Sequence, residues 1–206
     1  MRESMTWGQH LNKMKNHPLR GGWWLLDLET SGFDPLTDDI IAVRLAYMEN
    51  YELHQELSFH VLPKYPLRPE IARLTGLNPE DMSQAIPVAR AVKRIGMFVA
   101  DAPLLIYHTE FALPFLRTAF HHYAEEEFLF PCLSLCKVAS PVLNVSKRQR
   151  LDALAAQLPE PENRQPEDAE LAKLYRVALA TFKRLESSSG IQTVKDILLL
   201  YGVNGE

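Results

Sequence analysis

The residues most able to do chemistry lie in Asp27-Leu28-Glu29-Thr30-Ser31-Gly32. They follow an apolar run, Trp23-Trp24-Leu25-Leu26, which reads as a buried strand. Alternate side chains of a strand share a face, so Asp27 and Glu29 project together. Two carboxylates held close raise each other's pKa unless a cation neutralises them. A hard divalent cation such as Mg²⁺ is the usual partner. The same residues also suit a strand that runs out into a polar turn, because Ser31-Gly32 and Asp34-Pro35 follow.

Positioning such a pair requires a scaffold, and the patterning supplies one. Three strands are expected at about 23–29, 40–48 and 53–62, with Asn50-Tyr51 turning the second into the third. Helices follow near 69–75 and 87–100, then a short strand at 104–107 and a helix at 111–123. Glu125-Glu126-Glu127 reads as a solvated loop, and 128–135 as the home of the last strand. A short helix at 151–157 and a longer one at 167–185 are joined irregularly through Pro159, Pro161 and Pro166. Residues 1–21 read as an N-terminal helical arm, with Trp7, Leu11 and Met14 at helical spacing. Residues 22–185 form the main domain. Residues 186–206 read as a linker, Ser187-Ser188-Ser189-Gly190, and a C-terminal helix.

Six stretches together resemble one family. Leu26-Asp27-Leu28-Glu29-Thr30-Ser31-Gly32-Phe33-Asp34-Pro35 resembles the first motif of the DnaQ-like, or DEDD, 3′–5′ exonucleases, which include the proofreading epsilon subunits. Asp38-Asp39-Ile40-Ile41-Ala42-Val43 resembles the start of the second strand. Ile71-Ala72-Arg73-Leu74-Thr75-Gly76-Leu77 resembles the approach to the second motif. Leu104-Leu105-Ile106-Tyr107-His108, with Phe111 and Phe115-Leu116, resembles that motif itself. Leu151-Asp152-Ala153-Leu154 and Glu167-Asp168-Ala169 resemble the approach to, and end of, the third. The resemblance covers about residues 22–185. It implies an α/β, ribonuclease-H-like fold, a mixed sheet flanked by helices. It also implies a cleft in which four carboxylates hold two Mg²⁺ or Mn²⁺ ions.

The departures bear on activity. Ala112 stands where the second motif implies a metal-binding Asp, in a stretch one residue short. Aligned on Asp168-Ala169, Asn163 takes the general-base position of the His subtype and Arg164 that of the Tyr subtype. An amide does not titrate at neutral pH and cannot serve as a base. Asp27, Glu29 and Asp168 remain as metal ligands, enough for at most one well-bound ion. Glu110 is a candidate replacement for the missing Asp. Thr30, Ser31, His108 and Phe111 are the candidate contacts to a terminal nucleotide. Asp168 has a second reading, as an acidic residue at a helix start after Pro166.

Three functional readings stay open. The chain is a degenerate exonuclease-like protein that binds a single-stranded 3′ end or a nucleotide, with weak or no hydrolysis. It is an active Mg²⁺- or Mn²⁺-dependent 3′–5′ exonuclease. Or it is a protein-interaction module whose terminal helices meet a partner.

Composition narrows the classes. A chain of 206 residues with 47% hydrophobic and 23% charged content suits one globular domain. No apolar run is long enough to span a bilayer, and the N-terminus lacks a signal peptide's apolar centre, so a cytoplasmic location is expected. The net charge of −4 disfavours broad attraction to duplex DNA without excluding a local nucleic-acid cleft. Lys147, Arg148 and Arg150 form a short basic cluster, suited to a phosphate backbone or to a solvated turn. Cys132 and Cys136 read as core residues rather than metal ligands.

Overall fold

The run Trp23-Trp24-Leu25-Leu26 forms the first part of the central strand of a five-stranded sheet. A computed structural model of the chain describes residues 7–99, 102–124 and 128–201. The beginning of the expected arm, residues 1–6, and the Glu125-Glu126-Glu127 stretch lie outside the described residues, as do the side chains of Trp7 and Leu11.

The elements run in the order α1 (Trp7–Lys15), β1 (Trp23–Thr30), β2 (Ile40–Glu49), β3 (Glu52–His60), α2 (Pro69–Thr75), α3 (Pro79–Ser83), α4 (Val88–Val99), β4 (Leu104–Ile106), α5 (Thr109–Tyr123), β5 (Cys132–Ser134), α6 (Leu135–Val142), α7 (Leu151–Ala155), α8 (Ala169–Ser189) and α9 (Val194–Tyr201). The strand order is β3-β2-β1-β4-β5. β1, β2 and β3 form an antiparallel meander, and β4 and β5 continue the sheet parallel to β1. This is the expected mixed sheet with flanking helices.

The β2–β3 hairpin turns at Asn50-Tyr51, as their sequence suggests. Both residues have positive φ, 51° and 65°, the conformation of a two-residue turn matched to strand twist. Such a φ is uncommon for a bulky residue, and Tyr51 is held in place. Its carbonyl accepts hydrogen bonds from the Tyr175 hydroxyl at 2.8 Å and from the Asn163 amide at 3.2 Å.

Because side chains alternate, the sheet has two apolar faces. Trp24, Leu26 and Leu28 pack with Val43 and Leu45 under α4 and α5. Trp23 and Leu25 pack with Ala46 and Met48 under α6, α7, α8 and α9. The row Trp23-Leu25-Asp27-Glu29 therefore starts in the second core and ends in carboxylates.

α1 and α9, with the segments beside them, contribute to that same core. Met14, Leu19, Ile191, Val194 and Ile197 are buried in it. Leu19 N–H donates to the Gln192 carbonyl at 2.9 Å, and Val194 N–H to the His17 carbonyl at 3.1 Å. The stretch expected to be a linker is instead the last turn of α8, and Gly190, at φ 63°, caps that helix in the left-handed conformation. Apolar contacts along α8 outweigh the weak helix preference of three serines. The last strand is also shorter than expected. It stops at Ser134, and α6, not foreseen, begins at Leu135. Cys132 and Cys136 are buried, one on each element, and are not joined in a disulfide.

Candidate functional site

At the C-terminal end of β1 the antiparallel register sets Asp27 directly opposite Arg44 of β2, and Glu29 opposite Ala42. Directly opposed residues share a face, so Arg44 projects beside both carboxylates. α8 brings the third. Asp168 is its N-cap, and one carboxylate oxygen accepts from the Glu170 and Leu171 N–H groups at 2.9 and 3.1 Å. The other oxygen accepts from Arg44 Nε at 3.0 Å. Asp168 thus meets its helix-start reading, while its second oxygen is held by Arg44 beside Asp27 and Glu29.

The Arg44 guanidinium is the hub of the cluster. Nη1 donates to Asp27 Oδ2 at 2.8 Å and to Glu29 Oε1 at 3.1 Å, while Nε reaches Asp168. Its side chain is only 13% exposed, and that of Asp27 27%. Burial pushes the Asp27 carboxyl above the usual range, and Arg44 offsets part of that rise. Glu29 is raised by burial first and by the neighbouring Asp27 charge second. Burial alone would lower the Arg44 pKa, but the charges of Asp27, Asp168 and Glu29 outweigh it and the net shift is upward.

Beside this cluster lies a cleft of about 350 Å³ whose lining includes Asp27, His108, Phe111, Ala112, Arg150 and Lys173. Ala112 is buried in its wall on α5 and presents a methyl group there. His108 lines the cleft, with Nδ1 3.6 Å from Glu110 Oε1. Glu110 is 60% exposed and is not among the residues lining the cleft. Phe111 meets the exposed Phe33 edge-on at 6.3 Å. The hydroxyls of Thr30 and Ser31 are engaged in their own turn. Thr30 Oγ1 donates to the Gly32 carbonyl at 2.6 Å, and Ser31 Oγ accepts from Asp39 N–H at 2.8 Å. A Cβ at Gly32 would meet the Asp38 carboxylate, which would have to shift to admit it.

Asn163 sits elsewhere. Its amide bonds the Tyr51 carbonyl, beyond the end of β2 that pairs Met48 with Trp23. Arg44 precedes Met48 by four residues, roughly 13 Å of strand. Asn163 therefore staples the hairpin turn and does not join the three carboxylates. Of the sequence candidates, the structure brings Asp27, Glu29 and Asp168 together at Arg44 and lines the adjoining cleft with Asp27, His108, Phe111 and Ala112. It holds Asn163 at the turn and leaves Glu110 outside.

Arg44, Glu170 and Lys173 were not foreseen. Glu170 and Lys173 also line the cleft and pair with each other at 2.5 Å. The signal for Arg44 is in the sequence: it is the single charge within Ile40-Ile41-Ala42-Val43-Arg44-Leu45-Ala46, on the strand that must pair with Asp27.

No family model matches the chain. Among curated proteins it is similar to a PolC-type DNA polymerase III of Pediococcus pentosaceus, 24% identical over 139 residues, covering 67% of this chain and 10% of that protein. It is also similar to the DNA polymerase III subunit epsilon of Aquifex aeolicus, 24% identical over 143 residues, covering 69% of this chain and 71% of the subunit. The chain is related to the DnaQ-like 3′–5′ exonucleases. In fold it matches a product-bound structure of exonuclease I with a TM-score of 0.68 at 17% identity, over 87% of this chain and 46% of that one. E. coli exonuclease I in complex with a dT13 oligonucleotide gives a TM-score of 0.65 at 15% identity, over 82% of this chain and 42% of that one. The chain thus spans about a tenth of the PolC-type relatives and under half of exonuclease I. The DnaQ-like resemblance and the ribonuclease-H-like fold are both borne out.

The DnaQ-like pattern implies two divalent ions, and the side chains present do not fit them. Oxygen ligands bind Mg²⁺ at about 2.0–2.1 Å around one centre. Here the three carboxylates are spread over two nitrogens of one guanidinium, and Ala112, where the resemblance implies a fourth, carries no ligand atom in its side chain. Among the described residues, no group of three or more His, Cys, Asp or Glu side chains is arranged to hold a metal ion. Nor is any helix among them long and apolar enough to cross a membrane.

Proposed function

We propose that this protein uses the exonuclease fold to bind the end of a single nucleic-acid strand, or a nucleotide, in the cleft beside Asp27, and that it hydrolyses the strand weakly or not at all. The observation that carries this reading is Ala112. It lines the same cleft as Asp27, and the resemblance implies a metal-binding carboxylate at this position, which an alanine cannot supply. Asn163, which the resemblance puts at the base position, bonds the Tyr51 carbonyl away from the cleft and supplies no base there. Loss of general-base catalysis alone lowers a rate by about 10²–10⁴-fold.

Binding has its own support. E. coli exonuclease I, the fold neighbour, is seen with dT13 and dA16 oligonucleotides. In this chain Arg150 and Lys173 flank the cleft and can face phosphate, while Phe111 and Phe33 offer aromatic surface for a base.

The test compares this protein with the Aquifex aeolicus epsilon subunit on single-stranded DNA and RNA, with Mg²⁺ or Mn²⁺ present. Oligonucleotide binding without appreciable shortening is the expected result. Binding should weaken with salt and with Arg150→Glu. Brisk metal-dependent degradation abolished by Asp27→Ala would show that the protein is an active nuclease.

A further inference from the structure

We propose that Arg44 is a built-in cation that replaces the divalent metal of this cleft, so that the protein folds and keeps its cleft without metal. The inference concerns only what neutralises the carboxylates, and it stands whether or not the cleft binds nucleic acid.

Asp27, Glu29 and Asp168 come from two separate elements, β1 and the start of α8, and converge only at the guanidinium. Unpaired, three part-buried carboxylates would repel one another and resist desolvation. In the metal-dependent arrangement the ion removes that repulsion. Here a planar fork does so, with N–H donors at 2.8, 3.1 and 3.0 Å. Arginine suits this role better than lysine, because its donors diverge in one rigid plane and it stays charged at any physiological pH. The register reinforces the choice, since Arg44 is the residue directly opposite Asp27. The long side chain thus fills the space between the carboxylates, and an ion entering would have to displace it.

Three carboxylates against one guanidinium leave the cluster negative, so charge alone would still attract a divalent ion. What opposes entry is the loss of three charge-assisted hydrogen bonds and the release of a cation buried among them.

The experiment measures Mn²⁺ binding to the full chain by calorimetry and by electron paramagnetic resonance, alongside melting with Mn²⁺ or with EDTA. The unaltered protein should show no saturable Mn²⁺ site that depends on Asp27, and neither additive should shift its melting temperature. Arg44→Met removes the charge and keeps an apolar stem. It should melt lower, gain a saturable Mn²⁺ site, recover part of its melting temperature on adding Mn²⁺, and lose that site when Asp27→Asn is added. A folded Arg44→Met protein that binds no Mn²⁺ would overturn the proposal. The measurement on the unaltered protein decides the matter even if Arg44→Met does not fold. Mn²⁺ bound there, and lost on Asp27→Asn, would mean that the metal displaces Arg44 and the proposal fails.

Discussion

Among single residues, Arg44 is the cation bonded to all three carboxylates of the cluster. Removing one partner of a buried ion cluster leaves the others uncompensated, and Arg44→Met should cost about 3 kcal/mol at pH 7, the low end for such a change because the carboxylates keep some exposure. The pH dependence has a definite sign. Arg44 lowers the folded-state pKa values of Asp27 and Glu29, which burial has already raised. Without it both rise further. Below the unfolded values, near pH 4, the two groups are protonated in both states and the missing cation matters least. As pH rises towards 7 the variant must hold two ionised or reluctantly protonated carboxylates in the fold. The stability gap between variant and parent should therefore widen from pH 4 to pH 7 in urea unfolding. A gap that narrows over that range would contradict the cluster as described. Of this site, Asp27, Glu29 and Asp168 were legible in the sequence because strand alternation and motif spacing are local signals. The hub was not, because Arg44 acquires its meaning only through the cross-strand register, and a charge in an apolar strand also suits an edge facing solvent.

At the element scale, α8 ties its own start to the site. Asp168 both caps the helix and holds Arg44, and two substitutions separate these roles. Asp168→Asn retains a good N-cap and gives up the charge; Asp168→Ala gives up both. Equilibrium unfolding should find the Ala variant less stable than the Asn variant by roughly 1 kcal/mol. Equal stability would mean that the cap contributes nothing. The segment before α8 carries a different load. Asn163 donates to a carbonyl in a positive-φ turn, so Asn163→Ala should cost about 1 kcal/mol and leave any residual hydrolysis unchanged. For the same reason, Ala112→Asp with Asn163→His should fail to restore nuclease activity while Arg44 is present. A substantial gain from that pair alone would place residue 163 at the chemistry after all. Alignment assigned Asn163 to the cleft because spacing from Asp168 was the only guide. The prolines at 159, 161 and 166 let the chain take another course, which no local pattern encodes.

At the scale of the whole molecule, the sheet has a core on each face, and the terminal segments complete one of them. The strands were legible as apolar runs, and the resemblance implied a mixed sheet flanked by helices. The docking of the ends was not legible, since the contacts joining Leu19 to Gln192 and His17 to Val194 span almost the full chain. Ile197 on α9 is fully buried in that core, and Ile197→Ala should cost about 2–5 kcal/mol in a single cooperative transition. A loss below 1 kcal/mol, or a separate early transition, would mean that the ends do not share the domain's stability. The central claim is that this DnaQ-like fold carries its own cation where its relatives' pattern implies metal. The most direct measurement is a crystal structure soaked with Mn²⁺ and a nucleoside monophosphate, read by anomalous scattering. The account predicts Arg44 still bonded to Asp27, Glu29 and Asp168, with no manganese peak among them. A strong peak bound by those three carboxylates, with Arg44 swung aside, would contradict it.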